Sequence, residues 1–264
     1  MANLWAPTDT AATVLIDIRL PRTLVAALLG ANLGVAGLVL QAITRNQLAS
    51  PAILGINQGA ALGMAAGLVF PVLAGVPIDL LALIGALAAG LTTFAIAGGL
   101  SAQLDPMRLI LGGVAVGAFA YAVVRFTYTL DDDIARSVVR WTVGDVTDVR
   151  WPVVTRLLLW SVPGIILAQL LAQRFNLMAL GQASAKGLGA DPRVTVLLGA
   201  LVAAALAGVS VTVAGPIAFA GLIVPHLAKF MFGGDHRVLV PMTALLGSAF
   251  MLTADGLSKV VTAP

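Results

Sequence analysis

Side chains able to do acid–base or metal chemistry are few in this sequence of 264 residues. It contains two histidines, His226 and His236, and no cysteine, so disulfides, thiol catalysis and cysteine metal sites are excluded. No H-E-x-x-H metal motif occurs, and no paired-carboxylate arrangement falls in a plausible pocket. The P-loop pattern G-x-x-x-x-G-K-[ST] is also missing. We therefore expect no metal site, no catalytic residues and no ATP bound by the chain itself.

His226 follows Pro225 near one end of an apolar run. The ordinary interpretation is a histidine that packs or caps a helix, and the functional one is a gate or a ligand contact.

The composition indicates elements that lie in a membrane. Hydrophobic residues make up 59% of the chain and charged residues only 10%, against about 25% charged in soluble domains. A transmembrane helix needs about 20 mostly apolar residues. Such runs predict eight segments: 23–44, 55–74, 79–100, 107–129, 152–172, 194–213, a shorter one at 217–230, and 238–254. The predicted fold is an all-α, polytopic membrane bundle.

Three polar stretches interrupt these runs, at residues 45–51, 130–151 and 173–193. In the third stretch we expect a surface helix around Met178 to Leu188, followed by a turn at 189–192. Alternating loops divide the basic residues into sets of seven and eight, so the positive-inside rule does not orient the chain. The net charge of +3 gives no argument for a nucleic-acid partner. The first residues lack the basic start and apolar run of a signal peptide.

Four stretches in register resemble one family, the FecCD-type permease subunits of ABC importers for iron-siderophores, haem and vitamin B12. The stretches are R-L-P-R-T at 19–23, R-N-Q-L-A-S-P at 45–51, N-L-M-A-L-G at 176–181 with K-G-L-G at 186–189, and V-A-G-P-I-A-F at 213–219 with G-L-I-V-P-H at 221–226 and D-H-R at 235–237. The resemblance covers nearly the whole chain.

The resemblance implies a permease in the cytoplasmic (inner) membrane, with one transmembrane domain over residues 1–264. Family members usually have ten spans, and by this match the chain lacks the first and the last. Two permeases, identical or related, enclose a path for the ferric chelate. Two ATP-binding subunits, which hold ATP and Mg, dock on the cytoplasmic face, and a periplasmic or lipid-anchored substrate-binding protein docks outside.

The resemblance also implies roles for particular residues. Arg19, Arg22 and Lys259 would pair with carboxylates of the binding protein, the alternative being arginines that only anchor the helix at the interface. The coupling helix that enters the ATPase would include Leu180, Gly181, Gln182, Ala185, Leu188 and Gly189, with Gln182 where the family often has an acid. The cytoplasmic gate would include Asn46, Leu48, Pro106 and Met107, with Gln47 replacing the usual proline.

Other functions remain open from the sequence. An ion-coupled secondary transporter would need acids or a broken-helix ion site at mid-membrane, whereas the acids here cluster in loops. A truncated, non-transporting scaffold is a third class. Within the leading class a ferric siderophore is the first expectation, and haem and cobalamin are the alternatives.

Overall fold

The computed structural model describes residues 12–99 and 105–262, and this part of the chain contains ten α-helices and no strand. A π-helical turn, Val14–Arg19, leads into the first, and short 3-10 helices lie at Pro51–Leu54 and Pro71–Leu73. The α-helices are α1 (Leu20–Thr44), α2 (Ile56–Val69), α3 (Ile78–Ile96), α4 (Pro106–Thr127), α5 (Asp132–Val143), α6 (Trp151–Ala179), α7 (Gln182–Gly187), α8 (Pro192–Ala214), α9 (Ala220–Phe232) and α10 (His236–Thr262). The all-helical prediction is confirmed.

Aspartates fix the starts of three helices. The Asp105 carboxylate accepts hydrogen bonds from the backbone N–H groups at the start of α4, Asp131 does so for α5, and Asp191 for α8. Pro106 and Pro192 occupy the first helical positions of α4 and α8, where the missing N–H would have had no partner. These caps satisfy donors that the helix itself leaves unpaired.

All eight predicted membrane segments contain a helix, but they differ in length. Within the described ranges, six helices are long and apolar enough to cross a membrane, namely α1, α3, α4, α6, α8 and α10, whereas α2 and α9 are shorter. The predicted span 55–74 is therefore too long. Phe70 precedes Pro71 and is extended (φ −98°, ψ 111°), because a residue before proline is disfavoured in the helical region.

Helix α1 lies at the centre of the bundle and packs against α6, α8, α9 and α10. Every residue from Leu29 to Thr44 is buried. Glycines allow the closest approaches: a Cβ at Gly30 would overlap the carbonyl oxygen of Gly247 in α10, and one at Gly37 would overlap that of Gly221 in α9. Such contacts let membrane helices associate through packing, since lipid supplies no hydrophobic force between them.

The polar stretch 173–193 differs from its prediction. Helix α6 continues through Asn176 and Met178 to Ala179, so the short helix is α7, Gln182–Gly187, and not 178–188. The reason is that Phe175 and Met178 are buried against the core, which extends the apolar face of α6 by almost two turns. The predicted turn at 189–192 lies in the connection after α7 but is shorter than predicted, because Pro192 already begins α8 and Asp191 caps that helix.

Candidate functional site

The bundle has two ends, and the candidate residues divide between them. Helix α1 begins near Arg22 and ends at Arg45, and we call these the Arg22 end and the Arg45 end. Helix α10 runs in the opposite direction, because its first residue, His236, contacts Asn176 near the Arg45 end and Asp255 contacts Arg22.

At the Arg22 end, the structure brings two of the three predicted docking residues together on one carboxylate. The Arg22 Nε and Nη2 atoms donate to Asp255 Oδ1 at 2.8 and 2.5 Å. Lys259 Nζ donates to Asp255 Oδ2 at 2.5 Å. Only 9% of the Asp255 side chain is exposed, against 18% for Arg22 and 47% for Lys259. Arg19 is exposed one turn earlier, where its carbonyl accepts from Thr23.

Arg22, Asp255 and Lys259 line an open pocket of about 450 Å³. Asp145 and Thr147, from the loop after α5, line it as well. The Thr147 hydroxyl donates to Asp145 at 2.6 Å, and this bond holds the pKa of Asp145 below its ordinary value. The pocket therefore presents two cations and two carboxylates, which can pair with charged groups of another protein.

At the Arg45 end, the predicted gate residues lie in two neighbouring segments. The Asn46 side chain accepts from the Leu48 backbone N–H at 2.9 Å and so fixes the loop after α1. A small cavity is lined by this loop and by Leu109 and Ile110, which places the loop against the first turns of α4. Pro106 is the first residue of α4, and the Leu48 and Met107 side chains are exposed. Their role as a gate stays a prediction.

The predicted coupling residues form a compact segment around α7. Gly181 (φ +110°) and Gly189 (φ +85°) lie on either side of it, in a region that L-residues other than glycine rarely adopt. Ala185 is fully buried and its carbonyl accepts from the Ala190 N–H. Leu180 and Leu188 are 64% and 60% exposed. Gln182 is the first residue of α7.

A cluster of polar residues for which no role was predicted lies next to this segment. Asn176, in the last turns of α6, donates from Nδ2 to Asp235 at 2.6 Å and accepts from the His236 N–H at 2.9 Å. Asp235 also accepts from Arg237, and that bond holds the pKa of Asp235 down at about 2. The N-L-M-A-L-G and D-H-R motifs were visible in the sequence, but nothing in it showed that they meet.

The histidines do not form a metal site in the described ranges, where no group of three or more His, Cys, Asp or Glu side chains comes together. His226 is exposed on α9, which does not support the interpretation that it packs in the core. Its role as a gate or ligand contact stays a prediction. His236 is buried, and its ring contacts Phe175 edge-on at a centroid distance of 5.9 Å.

Comparison with known proteins identifies relatives over nearly the whole chain. The sequence model of the FecCD transport family matches residues 1–264. The chain is 41% identical to the Fe(3+) dicitrate transport system permease protein FecC of Escherichia coli (strain K12), over 94% of this chain and 75% of the relative. It is 36% identical to the iron(3+)-hydroxamate import system permease protein FhuB of Bacillus subtilis (strain 168), over 98% and 68%. It is 37% identical to the hemin transport system permease protein HmuU of Yersinia pestis, over 99% and 80%.

A solved structure of an ABC transporter in an inward-facing conformation has the same fold. It superposes with a TM-score of 0.87 and 26% sequence identity, and the match covers 99% of this chain and 84% of that one.

Proposed function

The chain belongs to the FecCD transport family, and from this premise we propose that it moves a ferric chelate of the siderophore type across the cytoplasmic membrane. It is a multi-pass permease subunit of an ABC importer, and ATP is hydrolysed by a separate subunit. Transport would follow alternating access, in which packed helices move against one another and the path opens to one side at a time.

The observation that carries this proposal is the surface of the coupling segment, residues 180–189. Leu180 and Leu188 are exposed at the Arg45 end, although α7 is too short and too polar to lie in lipid as a span. Leucines held in water are unfavourable by about 25 cal/mol per Å² of apolar area, so a protein partner that covers them gains affinity. Buried Ala185 holds the segment against the bundle. We assign this surface to the ATP-binding subunit and the Arg45 end to the cytoplasm.

The Arg22 end would then face outward and receive the substrate-binding protein. Arg22 and Lys259 supply cations that line the 450 Å³ pocket, and exposed Arg19 lies one turn before Arg22. This arrangement suits carboxylates presented by a partner. The chelate would pass between this permease and a second copy or a related chain. Exposed Met107, Leu111 and Val114 form one face of α4, and this face supports an apolar wall for such a path.

The cargo is proposed from the relatives. Two of the three named above carry iron chelates in their names, and the third is named for hemin. A further relative, 36% identical over 95% of this chain, is named as a cobalamin import permease of Halobacterium salinarum. Haem and cobalamin are therefore the alternative cargoes.

The test is reconstitution with an ATP-binding subunit and a substrate-binding protein, to be sought among the neighbouring genes. We expect both to co-purify with the chain, and we expect proteoliposomes to take up radiolabelled ferric siderophore only with ATP. Preferential uptake of haem or cobalamin would show that this compound, and not a ferric siderophore, is the cargo. Uptake without the ATPase would indicate a secondary transporter, and assembly without any uptake would indicate a scaffold.

A further inference from the structure

The last turns of α6 lead directly into the coupling segment and are bound by two polar contacts from different parts of the bundle. The first comes from Arg45, whose Nη2 donates to the carbonyl oxygen of Met178 at 2.5 Å. The same oxygen accepts from the Gly181 N–H at 3.2 Å. Met178 is thus held at the point where α6 ends and the coupling segment begins.

The hydrogen bond from Arg45 is favourable because it places a cationic donor at the C-terminal end of a helix. The final carbonyl groups of a helix have no partner within it and carry the negative end of the helix dipole. A guanidinium donor there makes a charge-assisted hydrogen bond, which is stronger than a neutral one. Arg45 is also the residue that ends α1, with a left-handed φ of 52° that is uncommon outside glycine. Its neighbour is Asn46, so the bond joins the end of α6, which leads into the coupling segment, to the predicted gate loop.

The second contact uses both ends of the Asn176 amide. Its Nδ2 donates to Asp235, and its Oδ1 accepts from the His236 N–H and lies 2.8 Å from His236 Nδ1. Asp235 and His236 form the turn between α9 and α10. Because the nitrogen and the oxygen of the Asn176 amide both make hydrogen bonds to the turn, the side chain is held in one orientation. A displacement of α6 is therefore passed on to the α9–α10 turn.

We propose that Arg45 and Asn176 are positioning residues that transmit movement of the coupling segment to the gate loop and to the α9–α10 turn. The proposal rests on the function given above, since it needs an ATPase that moves α7. Neither residue lies in the coupling segment itself. Their loss is expected to leave docking intact while uncoupling hydrolysis from transport.

The experiment uses the complete transporter in proteoliposomes, with ferric siderophore as cargo, and compares Arg45→Met, Arg45→Lys, Asn176→Leu and Arg174→Met with the wild type. Arg174 is the matched control: it is exposed on α6, one turn before Met178, and no hydrogen bond of its side chain is seen within the described residues. The readouts are co-purification of the ATPase, the thermal unfolding midpoint, and the number of cargo molecules moved per ATP hydrolysed.

We expect Arg45→Met and Asn176→Leu to keep the ATPase bound and to lower transport per ATP by about tenfold, the effect of losing one charge-assisted hydrogen bond. Arg45→Lys retains a charged donor and should restore part of the ratio, and Arg174→Met should leave it unchanged. A folded Arg45→Met variant with the wild-type ratio overturns the proposal. So does failure of both Arg45→Met and Asn176→Leu to fold, because the contacts would then serve stability alone. If the wild type does not bind the ATPase, the proposed function is wrong before this question arises.

Discussion

At the Arg22 end, Arg22 and Lys259 both donate to the nearly buried carboxylate of Asp255, which therefore compensates two cations. Arg22 and Lys259 were predicted from a resemblance in motif, and the structure places them together. Asp255, which both contact, was given no role, although its spacing of four residues from Lys259 is the signal of a helical ion pair. Its contact with Arg22 joins positions 233 residues apart, and no local pattern reports such a pairing.

The docking role of Arg22 is testable by removing its charge. We expect Arg22→Gln to weaken binding of the substrate-binding protein by about tenfold or more, because a partly buried cation contributes most when it pairs with a partner's carboxylate. The loss should shrink as salt is raised, since salt screens exposed charges. The measurement is the dissociation constant for the binding protein on nanodisc-embedded transporter at two ionic strengths.

Arg156→Gln is the control for that prediction. Arg156 makes an ion pair of the same kind with Asp79 at 2.6 Å, at the same end of the bundle, but does not line the pocket. Unchanged affinity in a folded Arg22→Gln variant would mean that Arg22 serves only as the internal partner of Asp255.

At the scale of helices, the apolar runs in the sequence predicted the positions of the membrane helices well and their lengths poorly. The runs located each membrane helix because hydrophobic length is a direct requirement of lipid. They did not reveal that α2 ends early at Phe70-Pro71 or that α6 continues to Ala179. The first depends on a proline and the second on core contacts of Phe175 and Met178, which exist only in the folded bundle. The short helix α7 was expected, but its limits depend on Gly181 and Gly189.

The crossing of α1 and α10 gives a prediction at this scale. Gly247→Ala places a methyl group against the carbonyl oxygen of Gly30, and overpacking of this kind costs about 1–3 kcal/mol. We expect a lower free energy of unfolding, measured by denaturant titration in detergent micelles.

Gly256→Ala, on the same helix, meets no other atom within 4 Å. It should leave stability unchanged or slightly higher, because alanine is the better helix former. Equal stability of the two variants would show that α1 and α10 do not approach as closely as described.

For the whole molecule, the orientation of the bundle in the membrane decides the proposed function. The distribution of basic residues did not orient the chain. The proposed orientation rests on matching the Arg45 end to the ATP-binding subunit and the Arg22 end to the substrate-binding protein. Because the chain contains no cysteine, single thiols can report the side directly. Val72 and Leu188 are well exposed, with Val72 in the connection between α2 and α3 at the Arg22 end and Leu188 at the Arg45 end.

We expect a membrane-impermeant maleimide added to intact cells, with any outer membrane permeabilised, to label the Val72→Cys variant and not the Leu188→Cys variant. In inside-out vesicles the pattern should reverse. Labelling of Leu188→Cys from outside would place the coupling segment away from any ATPase and refute the importer mechanism.

The central position of α1 has a consequence for how the protein is made. Its buried Asn32 pairs with Ser210 in α8, and its buried Gln41 accepts from Lys229 in α9. Ser210 and Lys229 are synthesised 178 and 188 residues after the amides that they bind. The side-chain amides of Asn32 and Gln41 therefore lack these partners while α1 is being inserted into the membrane. The contacts at the centre of the bundle form only after most of the chain has been synthesised.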